Sequence, residues 1–216
     1  MDIRIGPDAG STIYDFIGKA RRRLLIVSPW LSPACADLAV QKQRSGVTTV
    51  IVTTNDESKS HQLALAKLVE RKKRRGPIRW WLLIPGLAMV FAGLFALFQV
   101  FVQGKITAGL AFLLLLLTVG AALSWAGRGK TEKYFVSLVG RLVLYLPKDP
   151  PLHAKLYVAD DRVAVSSANF TVSGLKHNVE CVAYVEDAEL ANKAICQIDE
   201  LLCQEKIAVF QQESGD

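Results

Sequence analysis

Two stretches break the alternation of apolar and polar positions that governs the rest of the chain. Residues 80–102 are apolar except for Gln99, and residues 106–126 contain no charged side chain. A helix rises about 1.5 Å per residue, so either stretch can cross a hydrocarbon core of about 30 Å. Only Gln103-Gly104-Lys105 separates them. So short a link turns the second helix back on the first and predicts a transmembrane hairpin over 80–127, with helices 80–102 and 106–126. The alternative is a pair of apolar core helices in a soluble bundle. Pro85 falls in the first two turns, where a missing backbone donor is tolerated. Ala88, Ala92 and Ala96 recur every four residues, a stripe that lets another helix, the second span or a second copy, approach closely.

Outside the hairpin the periodicity alternates between strand and helix. The pattern predicts a strand at 2–5, a helix at 11–22 with Ser11 as its cap, a strand at 24–28 ended by Pro29, a helix at 33–44 and a β-branched strand at 47–53. A helix then starts near Ser58 and runs towards the basic cluster 71–75. Beyond the hairpin come a short helical piece at 131–139, a strand at 141–146 and a proline-rich turn at 147–151. Strands at 154–158, 163–166 and 180–185 follow, and then a helix at 189–206. This order predicts an α/β fold, a mixed β-sheet flanked by helices and interrupted by the hairpin. Residues 1–79 hold too few elements to close a core, so 1–79 and 128–216 read as two halves of one domain.

The composition reflects the same division of the chain. Apolar residues make up 51% of the 216 and the mean hydropathy is +0.26, with the excess concentrated in the hairpin. Residues 1–79 carry 15 Lys and Arg against 7 Asp and Glu, whereas 128–216 carry 10 against 13. The basic part suits a polyanion, either nucleic acid or anionic lipid, and charge alone does not choose between them. Arg71-Lys72-Lys73-Arg74-Arg75 and Arg79 precede the first span, and Arg128 and Lys130 follow the second. The positive-inside rule therefore places both soluble segments in the cytoplasm of a multi-pass membrane protein. The first residues hold no basic stretch leading into an apolar run, so no cleaved secretory signal is expected. Cys35, Cys181, Cys196 and Cys203 form no CxxC pair and predict reduced, mostly buried thiols with no structural metal. His61 and His177 read as surface or helix-cap residues.

Candidate chemistry concentrates in 153–180, His-Ala-Lys-Leu-Tyr-Val-Ala-Asp-Asp-Arg-Val-Ala-Val-Ser-Ser-Ala-Asn-Phe-Thr-Val-Ser-Gly-Leu-Lys-His-Asn-Val-Glu. On a strand His153 and Lys155 share a face. An imidazole can attack phosphorus or protonate a leaving oxygen, while ammonium and amide donors hold charge on the non-bridging oxygens. Ser167 and Asn169 close the next strand, where they can add such donors.

The spacing His-x-Lys-x4-Asp, with Ser-x-Asn, a Gly and Asn-x-Glu after it, resembles the HKD motif of the phospholipase D superfamily. His153, Lys155, Asp160, Ser167, Asn169, Gly174, Asn178 and Glu180 carry the match. The run Leu-Leu-Ile-Val-Ser-Pro-Trp-Leu at 24–31 more loosely resembles the family's first core strand and the turn after it. Asp161 and Ser166 stand where many members have Gly. The resemblance implies a covalent phosphohistidine at His153, phosphate binding by Lys155, Ser167 and Asn169, and an orienting role for Glu180. It makes Asp160 a supporting acceptor within the catalytic set, and it requires no metal or other cofactor. The family's chemistry uses two histidines and this chain has one motif. The resemblance therefore implies a homodimer whose paired His153 residues complete one site. The expected activity is that of a metal-independent phosphodiesterase, in the first place a nuclease. A phospholipid hydrolase or phosphatidyltransferase and a non-catalytic membrane scaffold are the alternatives.

Overall fold

The computed structural model describes residues 1–103 and 110–211. Along the chain run β1 (Asp2–Gly6), α1 (Ser11–Lys19), β2 (Arg23–Val27), α2 (Pro33–Arg44), β3 (Thr48–Thr54), α3 (Lys59–Leu68) and β4 (Val69–Arg75). Then come α4 (Trp80–Gln103), α5 (Leu110–Ala126), β5 (Thr131–Ser137), β6 (Arg141–Tyr145), β7 (Leu156–Ala159) and β8 (Arg162–Ser166). The last four are α6 (Val172–Lys176), β9 (Glu180–Glu186), α7 (Ala188–Gln204) and β10 (Ile207–Gln211). Two units result, 1–71 with 135–216 and 72–134.

In the first unit eight strands form one mixed sheet in the order β1-β9-β8-β7-β2-β3-β6-β10. β2, β3 and β6 are parallel, and the other pairings are antiparallel. The β-branched and aliphatic runs of β2 and β3 sit at the centre because only a strand covered on both faces can hide an unbroken apolar sequence. Alternation sorts their side chains. Leu24, Ile26, Ile51 and Tyr157 pack beneath Ile13, Ala36, Ala39 and Ala64 of α1, α2 and α3. Leu25, Val27, Val52 and Val158 face the other way, against Ala191 and Leu202 of α7. β2 and β3 precede the hairpin whereas their neighbours β7 and β6 follow it, so neither stretch of chain completes the sheet alone.

Several expectations change. The segment predicted as a helix at 131–139 is strand β5, and the basic cluster is strand β4, the two forming a separate two-stranded sheet. Thr131, Tyr134, Phe135 and Val136 have strong strand preference, and the two feet of a helical hairpin necessarily run side by side. The helix from Ser11 stops at Lys19, three residues early, and Gly10 rather than Ser11 is its cap; the Ser11 hydroxyl donates backwards to the Asp8 carbonyl at 2.6 Å. β10 and the five-residue α6 were not anticipated. Only Cys35 is buried. Cys181, Cys196 and Cys203 are exposed free thiols, the last two on α7 outside its inner stripe of Ala191, Ile195, Ile198 and Leu202. His61 is not a surface residue but 1% exposed.

In the second unit α4 and α5 pack antiparallel. A Cβ on Gly86 would lie 2.6 Å from the Ser124 nitrogen, and one on Gly120 would lie 2.8 Å from the Gly86 carbonyl oxygen. Glycines let the backbones meet, and the face of Ala88 and Ala92 is exposed instead. Ile84, Phe91, Phe95 and Phe98 are exposed apolar side chains, the reverse of a soluble core helix. Trp80–Gln99 is the one helical stretch among the described residues that is long and apolar enough to cross a bilayer, at a mean hydropathy of 2.2. α5 is shorter over its described 17 residues. Residues 104–109, with most of the predicted tip and the start of the second span, lie outside the described residues.

Candidate active site

The residues 153–155 do not themselves belong to a strand; they form the extended approach to β7. The Lys155 carbonyl accepts the Ser166 N–H at 3.1 Å, which fixes this approach against the end of β8. His153 is exposed, whereas Lys155 is 9% exposed. The Lys155 ammonium donates to the His153 carbonyl at 2.9 Å and lies 3.2 Å from both ring nitrogens. Burial lowers the Lys155 pKa, and the negative charge of Glu180 partly opposes that. The Trp30 ring meets the imidazole edge to face, with centroids 6.2 Å apart.

Glu180 begins β9 and is 9% exposed. Its carboxylate accepts from the Ser167 hydroxyl in a short hydrogen bond and from Asn178 Nδ2 at 3.1 Å. Ser167 in turn accepts the Cys181 N–H at 3.0 Å. Among the described residues no hydrogen bond joins Glu180 to His153. The carboxylate acts on the site through charge beside Lys155, and the only O–H of Ser167 is committed to it rather than to a phosphate.

Asn169 lies in the loop after β8, which is bound to the loop after β2. The Phe170 N–H donates to Ser28 Oγ at 2.9 Å, the Ser32 N–H to the Phe170 carbonyl at 3.1 Å, and the buried Tyr157 hydroxyl to the Ala168 carbonyl at 2.7 Å. Burial pushes the Tyr157 pKa far upwards, so this hydroxyl stays a neutral donor. Asn169 Oδ1 is buried with no hydrogen-bond partner among the described residues. An unpaired buried amide oxygen leaves the amide to be oriented by whatever binds there. Gly174 permits this arrangement, since a Cβ on it would fall 2.6 Å from the Asn169 carbonyl oxygen.

Asp160 is not brought to the others. It sits at the far end of β7 from His153, in the turn to β8, with φ at 56°. Its carboxylate accepts the N–H groups of Arg21 at 2.9 Å, Arg22 at 2.8 Å and Arg23 at 3.1 Å. Burial raises its pKa, but those N–H groups and the Arg22 charge outweigh it and hold the carboxyl below its usual range.

Two contributors escaped the sequence reading. A cavity of about 450 Å³ opens beside His153, between Pro29 and Trp30, Thr54 to Asp56, Tyr145 to Lys148 and Pro151 to His153. Buried His61 ties two of its walls: Nδ1 accepts the Leu31 N–H at 3.0 Å, so the ring proton is on Nε2, which donates to the Thr54 carbonyl at 2.9 Å. A lone histidine in a polar helical stretch carried no signal of this; Trp30 was signalled only by the Pro-aromatic turn after β2. Among the described residues no three His, Cys, Asp or Glu side chains gather where they could share a metal ion.

Residues 119–202 match a protein family described as cardiolipin synthase, PLD-like domain. No curated protein matches the sequence. Among solved structures, the chain is similar to a phospholipase D family member, Nuc, from Salmonella typhimurium, at 12% identity and a TM-score of 0.53, over 96% of this chain and 97% of that one. It is also similar to phosphatidylserine synthase from Haemophilus influenzae, at 12% identity and a TM-score of 0.50, over 99% of this chain and 40% of that one.

Proposed function

We take as premise that this chain has the phospholipase D superfamily fold, and propose that it is a membrane-anchored phosphodiesterase, in the first place a nuclease, that works as a homodimer. The observation that carries the reading is an exposed His153 with the buried Lys155 ammonium against its ring. A ring nitrogen of His153 attacks phosphorus, and the bond to the leaving oxygen breaks. Lys155 and Asn169 hold the non-bridging oxygens. One histidine cannot be nucleophile and acid in the same step, so His153 of a second copy protonates the leaving oxygen. It then takes a proton from water as that water attacks the phosphohistidine, which frees the first imidazole. No step needs a metal, and turnover resists chelators.

The nuclease reading is supported by likeness to Nuc over nearly the full length of both chains and by the basic N-terminal part. A second reading, a phospholipid hydrolase or phosphatidyltransferase, is supported by the cardiolipin synthase family match and by the exposed apolar hairpin, read here as two spans with both soluble segments cytoplasmic. A scaffold that binds without cleaving is the third.

The test is the full-length protein assayed on labelled single-stranded DNA, RNA and mixed lipid vesicles beside His153→Ala. Cleavage of nucleic acid that the variant loses supports the first reading. Turnover of lipid alone transfers the assignment to the second. No turnover with substrate still bound leaves the scaffold. Mixing His153→Ala with wild type lowers activity per wild-type chain if sites are shared; unchanged activity refutes the shared site.

A further inference from the structure

The feet of the hairpin enclose a cavity lined by residues other than those around His153. Within the 72–134 unit the two chain segments are cross-linked through backbone: the Gly76 N–H donates to the Lys130 carbonyl at 2.8 Å, and the Arg79 N–H to the Gly127 carbonyl at 2.9 Å. Only glycines fit there. A Cβ on Gly129 would lie 2.0 Å from the Gly76 carbonyl oxygen, and one on Gly127 would lie 2.7 Å from the Leu83 nitrogen. Beside this cross-link opens a cavity of about 750 Å³ lined by Arg75, Arg128 and Thr131 together with Ile78, Leu83 and Trp125. Its lining combines two guanidinium groups with apolar side chains.

Three features point to its occupant. Among the described residues neither Arg75 nor Arg128 forms an ion pair. The flanking segments 72–79 and 128–134 hold eight Lys and Arg against Glu132 alone. Trp80, Trp81 and Trp125 are exposed at the same end of the helix pair, where indoles collect at a membrane-water boundary. We infer that this cavity is a binding site for an anionic glycerophospholipid, with Arg75 and Arg128 on the headgroup phosphate and Ile78, Leu83 and Trp125 along the start of the acyl chains. Guanidinium groups pair with phosphate through two parallel hydrogen bonds, which a bare surface lysine does not offer. A soluble phosphate ester shares that headgroup chemistry but leaves the apolar wall unused. The inference rests on the hairpin lying in a bilayer, as in the proposed function, and is independent of what His153 cleaves.

The test is native mass spectrometry of the full-length protein released from phosphatidylcholine nanodiscs doped with phosphatidylglycerol. Wild type retains phosphatidylglycerol selectively. Arg75→Gln combined with Arg128→Gln lowers that preference roughly tenfold or more, while Lys73→Gln combined with Arg74→Gln, the same charge loss outside the cavity, changes it less than about twofold. Trp125→Leu, which keeps both cations, weakens retention to a lesser degree and serves if the double variant does not fold. Equal losses from the two charge pairs overturn the site in favour of diffuse surface attraction. No preference over phosphatidylcholine overturns it outright, and displacement by soluble glycerol phosphate overturns the lipid as its ligand. Flotation with pure phosphatidylcholine vesicles reads the embedding of the hairpin separately, so the two failures are distinguishable.

Discussion

Replacing Asp160 separates a structural role from a chemical one. Its carboxylate holds the N–H groups of Arg21, Arg22 and Arg23 where the chain turns into β2. The site is partly exposed, so water replaces some of what is lost, and about 1 kcal/mol per bond is the appropriate scale. Asp160→Ala then costs about 3 kcal/mol. Asp160→Asn keeps the one oxygen that serves both Arg22 and Arg23, loses the bond to Arg21, and costs about 1 kcal/mol. For a chain of this size each kcal/mol moves the unfolding midpoint by about 2–4 °C, giving roughly 6–12 °C for the alanine variant and 2–4 °C for the asparagine variant. Thermal unfolding of the detergent-solubilised protein, followed by circular dichroism, measures both. The folded carboxyl titrates below its unfolded counterpart, so its stabilisation is present above about pH 4 and fades as pH falls through the folded value. The gap between wild type and Asp160→Asn should therefore close in acid. Activity per folded molecule stays within a few-fold of wild type in both variants. An unchanged midpoint with activity lost by orders of magnitude would refute this reasoning and return Asp160 to the reaction centre.

Further outcomes follow from the site. Lys155 loses its proton at lower pH than an ordinary lysine, so cleavage rate should fall on an alkaline limb that lies below the ordinary lysine range, and Lys155→Arg should remove that limb while retaining part of the activity; a limb at the ordinary lysine value in pH-rate profiles contradicts it. Gly174→Ala forces the Asn169 backbone aside and should lower kcat by tenfold or more with an unfolding midpoint shift of a few degrees, compared by steady-state kinetics and calorimetry. His61→Leu strands the buried Leu31 N–H and Thr54 carbonyl, and should destabilise by about 2–4 kcal/mol and raise KM by loosening the wall that carries Trp30.

Much of this was legible because the signals are local. The β-branched run 48–54 and the helix Pro33–Arg44 each sit where periodicity puts them. His153, Lys155 and Asn169 stood out by residue type and spacing, and Glu180 only through the resemblance that those residues carry. What spacing could not show was direction. His153 and Asp160 are close in sequence, yet β7 lies between them and carries them to opposite ends of the sheet. The missed elements fail for the converse reason: β4 and β5 are strands because each lies against the other, and β10 because β6 offers it an edge. His61 is invisible for the same cause, its two hydrogen-bond partners being thirty and seven residues away.

The place of the hairpin in the chain order bears on biogenesis. A chain leaving the ribosome reaches α4 with β2 paired only to β3, while the strands that flank this pair, β7 and β6, and β9, the partner of β1, have yet to be made. The sheet closes only after translation has passed through the apolar helices. Every molecule that owns a finished His153 site has therefore already made its hairpin, and the two are produced in a fixed order.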